Sequence, residues 1–213
     1  SGDSISFADG RLAEGPIALA EVQGYVYAAR RRLAELYHVA GSHAKERRLL
    51  KDAERLKKDF NSVFWMEKEG FYAVALDGDK KPVDSITSNP GHCLWTEIID
   101  REKAGRVVER LMAPDMCSGW GIRTLSTLMP RYDPLSYHNG SIWPHDNSII
   151  AAGLARYGFS TEANEVANAI FDAATVFRHR RLPELYSGFP RREYSFPVPY
   201  PDANAPQAWA AGA

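Results

Sequence analysis

The sequence predicts an all-α fold in which helices pair into hairpins and the hairpins form concentric layers, an α/α toroid. Apolar residues recur at helical spacing in six segments, which pair along the chain. In each pair one helix is more buried and its partner is more polar. The chain opens abruptly at Ser1, and its last helix is cut short near Ala213. We therefore expect one partial domain, residues 1–213, truncated at both ends.

The first predicted pair comprises helices over residues 16–40 and 42–64. In the first helix, apolar positions step by four and three residues and define one apolar face: Val22, Val26, Ala29, Leu33 and Leu36. Pro16 suits the first turn of this helix, and Gly41 suits its end. The second helix has the same spacing at Leu49, Ala53, Leu56, Phe60 and Val63. The pair therefore predicts an antiparallel helical hairpin.

Residues 71–83 predict a small β-hairpin that protrudes from the helical chain. Asp77 and Gly78 form a dipeptide typical of a tight turn, and β-friendly residues flank it. Two helices follow, over residues 90–99 and from Asp100 to Met112, with Asp100 as the N-cap of the second.

The third predicted pair lies between two long loops. Residues 113–140 are rich in Gly, Pro, Ser and aromatic residues, and a loop of this length is usually functional. A helix over residues 141–157 is apolar on nearly every side, which predicts burial on both faces, and Ser160 caps its amphipathic partner. The proline-rich residues 178–205 form a structured loop, and residues 206–213 begin a further helix.

Composition excludes several classes of protein. The net charge of −1 provides no positive field for nucleic acid. No apolar run approaches the ~20 residues that span a bilayer, so the sequence predicts no membrane partner. Cys93 and Cys117 form no paired motif, which predicts a reducing, cytoplasmic location. No nucleotide-binding or nucleophile motif is present, so we expect no cofactor, and the spacing of His138 and His145 does not favour a metal site.

Two carboxylates stand among aromatic residues. Glu184 follows Pro183 in a loop, where Leu185 and Tyr186 could desolvate it, so this carboxylate is a catalytic candidate. The alternative is a solvated Glu in a cap or an ion pair. Asp146 lies in a polar and aromatic cluster at a helix start, so it faces a site or caps the helix.

Several aromatic side chains have the composition of a sugar site. Flat aromatic faces match the C–H faces of a pyranose, and nearby polar groups can bind its hydroxyls. The residues concerned are Trp120, Trp143, Tyr132, Tyr137 and Tyr186. The alternative is that these rings belong to the core.

Seven segments together resemble a known family. They are SGDS at 1–4, EVQGYVY at 21–27, DSITSNPGH at 84–92, SGWGIRT at 118–124, YHNGSIWPHDN at 137–147, RLPELYSGF at 181–189 and PYP at 199–201. In this order they resemble the catalytic domain of bacterial amylo-α-1,6-glucosidase and glycogen-debranching-like proteins. These proteins belong with the six-hairpin glycosidases, near glycoside hydrolase family 63.

The resemblance implies the C-terminal half or so of an (α/α)6 toroid whose inner helices surround a sugar pocket. It also implies an inverting hydrolase of α-glucosidic linkages, with the α-1,6 branch of glycogen as the family's named substrate. The position matching the family's general acid is Asp3, and the position matching its general base is Glu184. The missing N-terminal part of the protein would close the barrel around both carboxyl groups.

The family's motifs also suggest substrate-binding positions: Gln23, Trp120, Arg123, His138, Asn139, Trp143 and Asp146. The expected partner is an α-glucan or α-glucoside. Three alternatives stay open: a hydrolase of a small α-glucoside, a non-catalytic carbohydrate-binding or helical scaffold, and a helical-repeat module that binds protein.

Overall fold

Six α-helices form three consecutive pairs in the computed structural model, which describes residues 4–212. Their bounds are α1 Ala20–Val39, α2 His43–Val63, α3 Asn89–Trp95, α4 Arg101–Met112, α5 Pro144–Tyr157 and α6 Ser160–Val176. Helix α3 packs against both α1 and α5, whereas α2, α4 and α6 each pack against the helix that precedes them. The predicted all-α fold of layered helical pairs is confirmed.

Small residues allow the inner helices to approach closely. A Cβ atom at Gly91 of α3 would lie 2.6 Å from Cγ1 of Ile150 in α5. A Cβ atom at Gly153 of α5 would lie 2.6 Å from the backbone nitrogen of Trp95. Both distances are shorter than van der Waals contact, so only glycine fits where α3 crosses α5.

Helix α1 differs from its prediction in two respects. It begins at Ala20 and not at Pro16, because residues 18 and 19 are extended. Its buried positions are Ala20, Gly24, Tyr27 and Ala34. The larger apolar residues of the predicted face are exposed instead, for example Leu33 at 42% and Leu36 at 66%. The face that contacts α2 and α3 is therefore the one with small residues.

Five short strands accompany the first two helical pairs: one precedes α1 and four lie between α2 and α3. They are β1 Ala18–Leu19, β2 Trp65–Met66, β3 Phe71–Tyr72, β4 Ala75–Leu76 and β5 Pro82–Val83. β4 and β5 form the predicted hairpin, whose turn is closed by backbone bonds to the Asp77 carboxylate. The expectation that it protrudes is wrong, because residues 71–77 are buried and β1 pairs with β4.

Details of the remaining helix boundaries also differ. Asp100 occupies the N-cap position of α4, but its side chain makes no capping hydrogen bond. Ser160 is the first residue of α6, and its N-cap is Phe159. Helix α5 buries Ile150 and Leu154, yet Arg156 is exposed, so burial on both faces is wrong.

Two long loops are tied together near the start of α5. Isolated β-bridges pair Arg123 with Ile142, Ile142 with Tyr186, and Tyr186 with Pro199. Arg123 is 2% exposed and donates from Nε to the carbonyl oxygen of Gly188 at 2.7 Å. These bonds hold residues 113–143 beside residues 182–199, which are ordered without forming a helix. The short 3₁₀ helices Arg178–Arg180 and Ala210–Gly212 flank the second loop.

The core lies between the helical layers and extends under the strands. Phe60 of α2 stacks on Tyr72 of β3 with ring centroids 4.9 Å apart. Asn61, also buried, accepts a hydrogen bond from the Tyr72 hydroxyl and donates to the carbonyl oxygen of Ile98 at 2.8 Å. Among residues 4–212, no helix combines the length and apolarity that a membrane crossing requires.

Candidate functional site

Glu184 is held in place by pairing between the two long loops. Two residues beyond it, Tyr186 exchanges backbone hydrogen bonds with Ile142, at 2.9 and 3.0 Å. The backbone nitrogen of Glu184 also donates to the carbonyl oxygen of Asn204 at 2.8 Å. The loop therefore presents this carboxylate beside residues 137–143, the aromatic segment that leads into α5.

Hydrogen bonds keep the Glu184 carboxylate ionised. Its side chain is nearly buried, at 7% exposure. The Tyr137 hydroxyl donates to Oε1 at 2.7 Å, and the Asn204 amide donates to Oε2 at 3.1 Å. Burial acts to raise the pKa of Glu184, but these bonds outweigh it and hold the pKa below its ordinary value of 4.5. A carboxylate that stays ionised at neutral pH can accept a proton from water.

Tyr137 connects Glu184 to a group of aromatic rings. Its ring contacts His138 and Trp143 edge to face, with centroids 4.7 and 4.9 Å away. Trp143 in turn contacts Trp209 at 5.6 Å. Burial and the bond to Glu184 raise the pKa of Tyr137 to about 12, so its hydroxyl stays protonated and continues to donate.

A cavity of about 490 Å³ lies beside three of these rings, those of His138, Trp143 and Trp209. His138, Asn139, Trp143 and Asp146 line it, whereas Tyr137 and Glu184 do not. Its other walls come from residues 4–5, the start of α1, residues 87–92, residues 124–125 and Trp209. The cavity is large enough for a monosaccharide and combines apolar rings with polar groups.

A polar network spans the wall that α1, α3 and α5 share. His92 of α3 contacts Asp146 of α5 through Nε2 at 2.5 Å and the Tyr25 hydroxyl of α1 through Nδ1. A neutral His92 with its proton on Nε2 donates to Asp146 and accepts from Tyr25, whereas the doubly protonated ring donates to both. Beside it, the Asn89 amide donates to Oε1 of Glu21 at 2.9 Å.

The network contains groups with shifted pKa values. Burial raises the pKa of Glu21. Burial acts to lower the pKa of His92, but the hydrogen bond and charge of Asp146 outweigh this effect and the pKa is raised. Burial and the charge of Glu21 raise the pKa of Tyr25 to about 12. His92 and Asp146 therefore form a pair that favours the protonated imidazole.

The structure brings together some of the residues that the sequence singles out. His138, Asn139, Trp143 and Asp146 line one cavity, and Glu184 is bonded to Tyr137, whose ring contacts His138 and Trp143. Asp3, the expected general acid, lies outside the described residues. Ser4, the next residue in the chain, lines the cavity.

Three other predicted substrate-binding residues do not line this cavity. Gln23 donates back to the carbonyl oxygen of Leu19 at 3.1 Å. Trp120 is buried in the core, where its indole nitrogen donates to the carbonyl oxygen of Tyr194. Arg123 binds backbone carbonyl oxygens and lines a separate cavity of about 650 Å³. Trp120 and Arg123 therefore hold the two loops together, and the core alternative applies to Trp120.

Sequence reasoning missed several residues of the site. Glu21, Thr87, Asn89 and His92 lie in two segments that carry the family resemblance, but the resemblance gives them no role. The sequence places Trp209 in a helix start, yet it packs on Trp143 and lines the cavity. One sequence feature could have identified these polar residues: they lie near the N-terminal ends of two inner helices, α1 and α3.

One group of described side chains has the composition of a metal site, and it is remote from the cavity. His38 and His43 each contact the carboxylate of Glu46 at the turn between α1 and α2, at 3.0 and 2.9 Å. Both histidines are exposed. None of these three residues lines the cavity, so the group has no part in the chemistry there.

Comparison with protein families identifies a glycoside hydrolase. The model of the mannosylglycerate hydrolase MGH1-like glycoside hydrolase domain matches residues 8–187. The mannosylglycerate hydrolase of Rubrobacter radiotolerans is 29% identical over 149 residues, which cover 67% of this chain and 33% of that protein. The chain thus spans about a third of the length of this curated relative.

Solved structures share the fold. A family 63 mannosylglycerate hydrolase from Thermus thermophilus, in complex with glucose, aligns with a TM-score of 0.74 at 17% identity, covering 92% of this chain and 46% of that one. The neutral trehalase Nth1 from Saccharomyces cerevisiae aligns with a TM-score of 0.68 at 16% identity, covering 80% of this chain and 34% of that one.

These findings confirm the six-hairpin glycosidase fold. The family model that matches is named for the MGH1-like domain and not for the narrower group of amylo-α-1,6-glucosidases. The family match covers most of the chain, including the segments that contribute Glu21, His92, Trp143 and Glu184. The chain therefore belongs to the MGH1-like glycoside hydrolase family.

Proposed function

We propose that this chain is the C-terminal part of the catalytic domain of an inverting glycoside hydrolase, with Asp3 as general acid and Glu184 as general base. The observation that carries the proposal is the environment of Glu184. Its carboxylate is buried, is held ionised by Tyr137 and Asn204, and is linked through the Tyr137 ring to His138 and Trp143, which line an aromatic cavity. A general base must be unprotonated when it reacts, and an ionised carboxylate meets this condition.

Two carboxyl groups on opposite sides of the scissile bond suffice for inversion. Glu184 takes a proton from a water molecule as that water attacks the anomeric carbon. Asp3 protonates the leaving glycosidic oxygen from the other face. Such a pair needs a separation of about 6.5–9.5 Å, so that the sugar and the water fit between the carboxyl groups. The role proposed for Asp3 is supported by Ser4, the next residue in the chain, which lines the cavity.

We propose a small glycoside of the mannosylglycerate type as the substrate of the full-length protein. The family model and the curated relative, both named for mannosylglycerate hydrolase, support this choice. A second candidate is the α-1,6-linked glucose of a branched α-glucan, which the motif resemblance favours. The two candidates differ in what the leaving group is: a short acid or a polysaccharide.

The test is to incubate the full-length protein with mannosylglycerate, glucosylglycerate and a branched α-glucan and to follow the released sugar by proton NMR. The proposal predicts that one of the small glycosides is hydrolysed fastest and that the first product has the inverted anomeric configuration. A product with retained configuration would contradict the assignment of Glu184 as a general base. Fastest release from the branched glucan would favour the second candidate.

The rival function is a carbohydrate-binding scaffold without catalysis. It predicts that sugars bind while none of the three glycosides is hydrolysed. The same experiment therefore separates the two functions when sugar binding is measured alongside.

A further inference from the structure

The carboxylates of the cavity wall are not balanced by Lys or Arg among the described residues that line it. These carboxylates belong to Glu21 and Asp146. Three histidines also line it: His92 is paired with the Asp146 carboxylate, burial lowers the pKa of His145, and His138 stacks on Trp143. The two carboxylates therefore disfavour an anionic ligand in this cavity.

Three buried polar atoms on this wall have no hydrogen-bond partner. Within residues 4–212, the buried side-chain atoms without a partner are Oε2 of Glu21, Oγ1 of Thr87 and Oδ2 of Asp146. All three residues line the same cavity. Buried polar atoms are almost always paired, because an unpaired one costs folding free energy. Their occurrence at one cavity indicates that a ligand supplies the missing partners.

Both carboxylates are held in the same way. Each has one oxygen bound by a protein group, Asn89 for Glu21 and His92 for Asp146, and a second oxygen without a partner. The terminal torsions of Asp and Glu are soft, so a small rotation turns the second oxygen towards a ligand. A carboxylate oxygen accepts hydrogen bonds, and hydroxyl groups of a ligand can donate them.

We propose that Glu21, Thr87 and Asp146 recognise the uncharged, hydroxyl-bearing ring of the substrate and that this cavity disfavours a ligand carboxylate. The inference rests on the proposed function, since it assigns one part of the glycoside to this cavity. Trp143 and Trp209 provide apolar surface for the C–H face of the ring. The acidic end of a substrate such as mannosylglycerate is then bound by groups other than these three.

The first test compares ligands that differ in one group. Glucose and glucuronate share a ring and differ at C6, where glucuronate carries a carboxylate; mannose and mannuronate form a second such pair. Isothermal titration of the full-length protein is expected to give at least about tenfold weaker binding for each uronate than for its neutral sugar. Equal or tighter binding of the uronates would overturn the proposal.

The second test removes single acceptors while keeping their shape. Glu21→Gln is expected to weaken binding of the preferred neutral sugar about tenfold and to narrow the gap between that sugar and its uronate. Thr87→Val removes the hydroxyl and keeps the shape of the side chain. It is expected to weaken binding of the neutral sugar and to leave binding of the uronate unchanged. The control is Glu35→Gln, an exposed glutamate of α1 that does not line this cavity. Unchanged affinities in both cavity variants would overturn the proposal.

Failure of this inference and failure of the proposed function give different results. If the full-length protein hydrolyses a glycoside but binds uronates as well as neutral sugars, the inference alone is wrong. If it prefers neutral sugars but hydrolyses no glycoside, the proposed function alone is wrong. The wild-type comparison needs no variant, so it decides the matter even if Glu21→Gln does not fold.

Discussion

Glu184 and Tyr137 form the contact on which the proposed chemistry depends. Burial alone would favour the neutral acid, and donors to its carboxylate reverse that preference. A group whose pKa is depressed in the folded state stabilises the fold above its ordinary pKa and loses this contribution as the pH falls through the folded value. The bond from Tyr137 therefore contributes both to the ionisation of Glu184 and to stability above about pH 4.5.

Tyr137→Phe tests this contact. Loss of the donated hydrogen bond raises the pKa of Glu184, so the acidic limb of the pH profile of kcat/KM moves to higher pH. Activity near pH 7 changes less than activity near pH 4. The measurement is the pH–rate profile of the full-length protein. The control is Tyr37→Phe, in the last turn of α1 and away from the cavity. A profile that does not move in Tyr137→Phe would contradict this role for the hydroxyl.

Residue types and spacing predict only part of the site. The family resemblance of the segment at 137–147 predicted four residues that line the cavity: His138, Asn139, Trp143 and Asp146. Trp120 and Arg123 have equally suitable chemistry, but their side chains point into the core between the loops. The contacts of Glu21 and His92 depend on three helices that meet in space, and no single segment carries that information.

At the level of helices, hydropathy indicates where α1 lies but not which side of it is buried. Val22, Val26, Leu33 and Leu36 dominate the periodic pattern because they are large. The packed side instead presents Ala20, Gly24, Tyr27 and Ala34, and three of these four residues are small enough for close helix contact. The three helical pairs were predictable from periodicity. The packing faces depend on side-chain volume, which the periodic pattern of apolar residues does not include.

A glycine substitution in α5, compared with a control substitution in α4, tests the close crossing of α3 and α5. Gly153→Ala forces a Cβ atom against the backbone of Trp95 and is expected to destabilise the fold by about 1–3 kcal/mol. The matched control is Gly105→Ala in α4, where a Cβ atom has no neighbour within 4 Å. That substitution is expected to stabilise the fold by about 0.5–1 kcal/mol.

Urea unfolding of both variants measures these free energies. Equal stabilities for the two variants would contradict the view that backbone proximity at the α3–α5 crossing selects glycine.

For the molecule as a whole, the exposed stripe of α1 stands out. Val22, Val26, Leu33 and Leu36 are each at least 38% exposed along one helix, and contiguous apolar surface of this kind marks an interaction surface. The Thermus thermophilus structure is more than twice as long as the part that this chain matches. We propose that the remainder of the full-length protein covers the stripe.

The 213-residue chain on its own is therefore expected to self-associate. Sedimentation velocity over a range of concentrations measures this. Replacing Val26 and Leu33 by Lys and Glu is expected to shift the chain towards monomer, whereas Leu128→Glu, at an exposed loop position, is expected to have no such effect. A wild-type chain that remains monomeric at every concentration would contradict the prediction.

Glu184→Gln tests the central claim most directly. The amide keeps the shape of the side chain but cannot accept a proton, so hydrolysis of the preferred glycoside by the full-length protein should fall by about 10²–10⁴-fold. The melting temperature should show that the variant is folded, and Glu193→Gln, an exposed glutamate of the same loop region, should retain wild-type activity. A folded Glu184→Gln protein that hydrolyses as fast as wild type would contradict the assignment of Glu184 as the general base.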